Sequence, residues 1–145
     1  MSKGTSGLFH GTAGANATRS QLQEKTRETI SKLIANTPGS KKKAMAVGAY
    51  DERTGRTVAA FAGDIPKRIA PELRERAEVI GGLGTHGLTE RNIVGVCAEF
   101  HVVNSLLLGG AKWEDIHLTP AIRPRNGQVM PFCDNCKAMF HDLID

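Results

Sequence analysis

The sequence has no long uninterrupted apolar run. Its longest apolar stretch, residues 102–108 of 145, contains Asn104 and Ser105 and is far shorter than the roughly 20 residues that a membrane-spanning helix requires. Residues 1–17 lack the basic start and continuous apolar segment of a signal peptide. We therefore expect no membrane span, a flexible leader at residues 1–17 and, because no internal repeat is present, a single domain at residues 18–145.

Cysteine is also scarce. The chain has three cysteines, an odd number that excludes a complete disulfide framework and favours a metal-binding or catalytic role in a reducing compartment. The 15 acidic residues are outnumbered by 19 lysines and arginines, which gives a net charge of +4. A basic chain of this kind favours anionic partners such as nucleic acid.

The first half of the chain predicts one helix and one hairpin. A capping box at residues 18–21 and apolar residues three or four positions apart predict a helix that ends before Asn36. Residues 44–50 and 56–62 are small and apolar and are separated by turn residues, which predicts a β-hairpin. The lysine run at residues 41–43 is predicted to be a solvated linker.

The second half predicts three helices and one strand. Pro71 can begin a helix because its missing N–H would be unpaired there, and Pro120 predicts an edge position or a bend in a strand. The predictions are helices at residues 71–80, 97–108 and 134–144, a strand at 115–122, a mobile glycine-rich connection at 81–87 and a loop at 123–130.

All three cysteines lie in two short clusters, CAE at residues 97–99 and PFCDNC at residues 131–136. Each cluster lies at the predicted N-terminus of a helix. Unpaired N–H groups and the positive end of the helix dipole favour thiolate there, and thiolate is the form that binds zinc. The spacing therefore predicts a Zn²⁺ site formed by Cys97, Cys133 and Cys136.

Three protein ligands would leave one coordination position to water. This open tetrahedral geometry is typical of catalytic zinc, which lowers the pKa of its water to about 7. Glu99 follows the first ligand by two residues, close enough to share the site without binding the metal.

Two other interpretations of the cysteines stay open at this point. His101 follows Cys97 by four residues on the same helical face, so a closed Cys₃His site that only supports folding is an alternative. Glu99 would then be an ordinary acid at a helix start. A redox-active CxxC is the other alternative, although this one does not follow the first strand of a thioredoxin-like pattern.

The two clusters together resemble the signature of the zinc deaminases, in which a His or Cys ligand is followed by any residue, Glu and, later, Pro-Cys-x-x-Cys. More narrowly, CAE followed by an apolar helix with Asn104 and two leucines is similar to YwqJ-type deaminase domains of the cytidine-deaminase superfamily. These domains are found at the C-terminal ends of bacterial polymorphic toxins and include a single-stranded-DNA cytosine deaminase. The resemblance covers residues 44–145, and Phe132, between Pro131 and Cys133, departs from the pattern.

This resemblance implies that Cys97, Cys133 and Cys136 hold zinc and that Glu99 moves the protons. Glu99 would take a proton from the attacking water and pass it to the ring nitrogen and then to the departing ammonia. The resemblance also implies a secreted effector domain that is delivered into the cytoplasm of a target cell, with an immunity protein as its partner.

Five residues are candidates for contact with the substrate. Phe132, beside a ligand, could stack on a base, with a core position as the alternative. Arg123 and Arg125 lie in the loop before the second cluster and could contact phosphate. His86 lies in the glycine-rich connection, and His101 follows Glu99 by two positions.

The fold that we expect is α/β, a three-layer α/β/α sandwich with a mixed sheet, as in cytidine deaminases. The favoured activity is conversion of cytosine to uracil in single-stranded nucleic acid, DNA in particular. A base inside a duplex is out of reach unless it is flipped, and a basic surface attracts the phosphate backbone. The alternatives are deamination of RNA or free nucleosides, and a non-enzymatic, zinc-stabilised module that binds nucleic acid or protein.

Overall fold

The computed structural model describes residues 8–39 and 45–145, which form six strands and four α-helices. The predicted linker at residues 41–43 lies outside the described residues. None of the helices within the described ranges has both the length and the apolar composition needed to cross a bilayer. The elements in chain order are β1 (Leu8–Thr12), α1 (Arg19–Ala35), β2 (Ala46–Asp51), β3 (Arg56–Phe61), α2 (Pro71–Val79), α3 (Ala98–Leu108), a single 3₁₀ turn (Trp113–Asp115), β4 (Ile116–Leu118), β5 (Ala121–Ile122), β6 (Val129–Met130) and α4 (Asp134–Phe140).

The strands form one sheet in the order β1-β3-β2-β5-β6, and β4 also pairs with β2. The prediction of a mixed sheet is wrong for the described strands, because each of their pairings is antiparallel. Short turns join β2 to β3 and β5 to β6, and short turns can connect only antiparallel neighbours. Within residues 8–39 and 45–145, the one parallel contact is an isolated bridge between Leu118 and Ile144.

The predicted first helix and hairpin are confirmed. Thr18 caps α1 in a capping box with Gln21, and β2 pairs with β3 from Ala46 opposite Phe61 to Tyr50 opposite Thr57. Helix α1 packs closely on β2 because Gly48 has no side chain. A Cβ atom at Gly48 would lie 2.6 Å from Thr26 Cγ2.

Alternate residues of β2 and β3 face two separate hydrophobic clusters, as period-2 strand geometry requires. On one face, Ala46, Ala59 and Phe61 pack with Ile30 and Leu33 of α1. On the other face lies the larger cluster, to which α2, α3 and α4 all contribute. Its strand and helix members include Val47, Ala49, Val58, Ala60, Leu73, Phe100, Val102, Leu106, Met139 and Phe140.

Residues 8–12, which the sequence placed in a flexible leader, form β1 instead. This strand pairs with β3 from Leu8 opposite Ala60 to Thr12 opposite Arg56. Only Leu8 and Phe9 are large apolar residues in β1, too few to give a periodic signal. The free edge of β3 supplies the hydrogen-bonding partners instead.

The second half of the chain follows the prediction in its helices and departs from it near the C-terminus. Helix α2 and helix α3 form as predicted, and the strand predicted at 115–122 is interrupted near Pro120 into β4 and β5. Two predictions are wrong. Val129–Met130 is a strand paired with β5 and not loop, and α4 ends at Phe140 because residues 143–145 leave the helix to hydrogen-bond with Leu118.

Candidate metal centre

The three cysteines lie together, as the sequence predicted. Their sulfur atoms are all within 4.8 Å of one another, and Cys97 Sγ is 4.0 Å from Cys133 Sγ. Two sulfurs bound to one tetrahedral zinc at about 2.3 Å each would be about 3.8 Å apart. Cys97, Cys133 and Cys136 could therefore hold one metal ion with little rearrangement.

The starts of two helices bring these thiols together. Cys97 is the N-cap residue of α3 and Cys133 is that of α4, both with extended backbone conformations, and Cys136 lies in the first turn of α4. The two helices meet because they share the larger hydrophobic cluster, in which Cys136 itself is buried. The positive ends of both helix dipoles therefore point toward the cysteines, which favours thiolate.

The thiols change one another's pKa values because they are so close. Hydrogen bonds from Cys136 and Cys97 lower the pKa of Cys133 to about 2. The same hydrogen bonding with Cys133 raises the pKa of Cys97 to about 12 and also raises the pKa of Cys136. The thiol protons are shared among three neighbouring sulfur atoms, and a metal ion bound by these sulfurs as thiolates would release them.

Glu99 lies in the first turn of α3 and is 3% exposed. Burial raises the pKa of its carboxyl group, and Cys133 and Cys136 are also among the groups that act on this pKa. The carboxyl group therefore lies beside the cysteine cluster. A buried carboxyl group with a raised pKa is suited to accept and return a proton.

A cavity of about 280 Å³ adjoins both the cysteines and Glu99. Two of the cysteines, Cys97 and Cys133, line it together with Glu99, Phe132 and Asn92. The remaining lining residues are Met45, Ala62, Val96, Ala98 and Pro131. A small molecule or a single ring in this cavity would therefore touch the proposed acid–base group and lie beside the metal ligands.

His101 is not brought to the cysteine cluster. Its ring Nε2 is 3.2 Å from the carbonyl oxygen of Gly63, and burial lowers its pKa. In the described part of the chain, the group of ligand atoms within 4.8 Å of one another consists of the three cysteines. Because Cys97 is an N-cap residue with extended backbone, the i, i+4 relation to His101 does not place both side chains on one helical face.

Of the predicted substrate-contacting residues, the structure places Phe132 in the cavity wall, where it is half-buried. Arg123 and Arg125 lie in the turn between β5 and β6, which is closed by hydrogen bonds such as that from Gly127 N to Arg123 O at 2.8 Å. His86 is exposed. The cavity is not lined by Arg123, Arg125, His86 or His101.

Two asparagines near the site were not singled out from the sequence. Asn92 lines the cavity, and Asn135, between the two cysteines of the CxxC, is fully buried. The only signal in the sequence was their position, five residues before Cys97 and one residue before Cys136. Polar residues this close in sequence to candidate metal ligands are themselves candidates for holding those ligands in position.

The chain matches no protein-family model, no curated protein and no solved structure. The cysteine cluster, Glu99 and the cavity that adjoins them are therefore the basis for assigning a function.

Proposed function

We propose that this chain is a zinc-dependent hydrolytic deaminase that converts cytosine to uracil in single-stranded nucleic acid, with DNA as the favoured polymer. The observation that carries this proposal is the buried carboxyl group of Glu99 beside three clustered thiols, with one cavity adjoining both. Thiolates are soft ligands that favour zinc among the common divalent ions. Three of them leave a fourth position for water, as in catalytic zinc sites.

When bound, zinc would supply an acidified water molecule as the nucleophile. Glu99 would take one proton from the attacking water molecule as the water oxygen forms a bond to the ring carbon that carries the amino group. Glu99 then gives that proton to the ring nitrogen, and the second proton of the water goes by the same carboxylate to the amino group. The carbon–nitrogen bond breaks and ammonia leaves, so water is consumed and one oxygen replaces one nitrogen.

The size of the cavity supports a single base as the reacting group. Its volume of about 280 Å³ is near the lower end of the range for small-molecule pockets, roughly 300 Å³ and above. A base must leave a duplex to enter such a space, which favours single strands as substrates. Phe132 in the cavity wall offers a surface on which the base would stack.

The net charge of +4 supports a polymer rather than a free nucleoside as the substrate. Lysines and arginines attract the phosphate backbone whatever its sequence, and Arg123 and Arg125 in the turn that precedes Pro131 are suited to this role. The exposed guanidinium of Arg125 would contact phosphates of nucleotides outside the cavity.

We also propose the fold and the cellular role that the resemblance to zinc deaminases implies. Helix α1 on one face of the sheet and α2, α3 and α4 on the other are consistent with a three-layer α/β/α arrangement of the cytidine-deaminase kind. We further propose an effector role, in which the domain acts in the cytoplasm of a target cell and an immunity protein protects the producer.

The test is incubation of the zinc-loaded protein with single-stranded DNA, duplex DNA, RNA and free cytidine, followed by sequencing of the polymers and measurement of ammonia. We expect C-to-T changes in single-stranded DNA, and their loss in Glu99→Gln, which keeps the shape of the side chain but cannot accept the proton. Glu114→Gln is the matched control, because Glu114 is exposed and lies outside the cavity.

The other substrates give distinct outcomes. A-to-G changes would overturn cytosine as the target, and changes in RNA or cytidine alone would overturn single-stranded DNA as the substrate. If the wild type changes none of the substrates, the proposal of a deaminase is wrong and a zinc-stabilised binding module replaces it.

A further inference from the structure

Asn135 lies between two of the metal-ligand cysteines, yet its side chain contacts a different part of the chain. The residue is 0% exposed. Its Oδ1 accepts a hydrogen bond from the backbone N–H of Leu88 at 2.7 Å, and its Nδ2 donates to the carbonyl oxygen of His86 at 3.0 Å. The amide group therefore joins α4 to the segment that the sequence predicted to be a mobile connection, and to the residues just after it.

Thr89 extends this network to the cavity wall. Asn135 Nδ2 is 3.4 Å from Thr89 Oγ1, and the same hydroxyl accepts from the backbone N–H of Asn92 at 3.1 Å. Thr89 Oγ1 lies 3.0 Å from the carbonyl oxygen of His86 and 3.1 Å from that of Asn92, and its hydroxyl can donate to either one. A continuous path of hydrogen bonds thus runs from the helix that carries two metal ligands to Asn92, which lines the cavity with Glu99.

The backbone of this loop packs directly against Asn135. Gly87 has a φ of +59°, in the left-handed region, and a Cβ atom there would overlap Asn135 Oδ1 and lie 2.9 Å from Val94 Cγ2. The loop has a second anchor in the hydrogen bonds between Thr85 and Val94 and between Gly84 and Val94, at 2.8 Å and 3.0 Å. Residues 86, 87 and 88 are otherwise exposed, so Asn135 is the buried group that fixes them.

We propose that Asn135 is a positioning residue that sets the affinity of the cavity for its substrate by holding residues 86–92 against α4. The inference rests on the proposed function for the identity of the substrate. Asn135 contacts neither the metal site nor the cavity through its side chain, and its effect reaches the substrate through Thr89 and Asn92. Because an active site must be held to within a fraction of an ångström, loosening this wall lowers substrate affinity more than it alters the chemistry at Glu99.

Two variants and a matched control test the proposal. Asn135→Ala removes the anchor, and Thr89→Val removes the next link without changing α4. Asn104→Ala is the control, since Asn104 is 4% exposed and also ties a loop to a helix, accepting from Ala70 N and donating to Arg68 O, both at 2.9 Å. Asn104 does not line the cavity.

We expect Asn135→Ala and Thr89→Val to raise the KM for a single-stranded oligonucleotide about tenfold, with kcat within about twofold of the wild type. Zinc content stays unchanged, and Asn104→Ala leaves KM unchanged. If Asn135 only stabilised the fold, Asn135→Ala would behave like Asn104→Ala. A smaller fraction of folded, active protein would lower the apparent kcat of both variants and leave KM unchanged. That pattern would overturn the proposal.

Equilibrium binding separates this proposal from the proposed function. The affinity for a labelled single-stranded oligonucleotide is measured by fluorescence anisotropy in the Glu99→Gln background. If the wild type does not deaminate but Asn135→Ala weakens binding about tenfold, the proposed function is wrong and the role of Asn135 holds. If the wild type deaminates and Asn135→Ala changes neither KM nor affinity, only the proposed role of Asn135 is wrong. That role is also wrong if none of the proteins, including Glu99→Gln alone, binds the oligonucleotide.

Discussion

Cys136 differs from the other two thiols in its surroundings. It is 0% exposed, whereas Cys97 and Cys133 are half-buried and line the cavity. A metal ion held by all three would have Cys136 on its inner side and the cavity on its outer side. Cys97 and Cys133 would then hold the ion where a molecule in the cavity can reach it.

Cys136→Ser should remove most of the bound metal, because a neutral hydroxyl is a much poorer ligand for zinc than a thiolate. We expect about one zinc per chain in the wild type and far less in this variant, measured by elemental analysis after dialysis. Asp134→Ser is the matched control, since Asp134 is exposed and lies in the same helical turn. Equal zinc contents in the wild type and Cys136→Ser would exclude this thiol as a ligand.

At the scale of single residues, the sequence predicted best where the chemistry is local. Cys97, Glu99 and Cys136 are fixed by short motifs at helix starts, and the structure brings them together. His101 and the arginines were predicted from sequence distance, which says nothing of side-chain direction. Asn135 was missed because its partners all lie in a loop and the two closest are backbone atoms. The path of a loop is not encoded in a short motif.

At the scale of elements, residues 143–145 hydrogen-bond to strand β4. Leu118 N donates to Leu143 O at 2.8 Å, and Asp145 N donates to Leu118 O at 3.0 Å. The Asp145 carboxylate accepts from Tyr50 OH at 2.7 Å and lies 3.0 Å from His117 Nδ1. The ring of His117 stacks on Tyr50 with centroids 4.9 Å apart. These contacts explain why α4 ends early, since residues 143–145 are held by the sheet.

Tyr50→Phe should lower the free energy of unfolding by about 1–2 kcal/mol, because it removes a partly buried hydrogen bond to a carboxylate. Urea denaturation measures the change. The same substitution in an Asp145→Ala background is the control and should cost much less, since the acceptor is already gone. If Tyr50→Phe lowers the free energy of unfolding equally in both backgrounds, the Tyr50 hydroxyl does not stabilise the fold through Asp145.

Elements with their own periodic signal could be predicted, and elements formed by pairing could not. Helix α1 and the β2–β3 hairpin carry a capping box, apolar periodicity and turn residues. Strand β1 and strand β6 are short, with five and two residues, and exist because a neighbouring strand offers an open edge. The predicted mixed sheet failed for the same reason, since strand direction depends on pairing.

At the scale of the whole molecule, the sheet and helix α1 support a site that lies at the starts of α3 and α4. Two hydrophobic clusters fill the two faces of the sheet. Helices α3 and α4, whose starts carry the cysteines, both belong to the larger cluster. The hydrogen bond from Gly63 N to Val96 O at 2.9 Å also fixes the end of the hairpin to the residue before Cys97. A rigid scaffold of this kind keeps the three cysteines, Glu99 and the cavity in fixed positions relative to one another.

The central claim is that a metal ion bound by Cys97, Cys133 and Cys136 keeps one position free for water beside Glu99. X-ray absorption spectroscopy of the zinc-loaded protein tests this claim most directly, with His101→Ala measured alongside. We predict three sulfur ligands at about 2.3 Å and one light atom, with spectra that are the same in both proteins. Loss of a nitrogen ligand in His101→Ala, or four ligands that are all side chains, would contradict the claim.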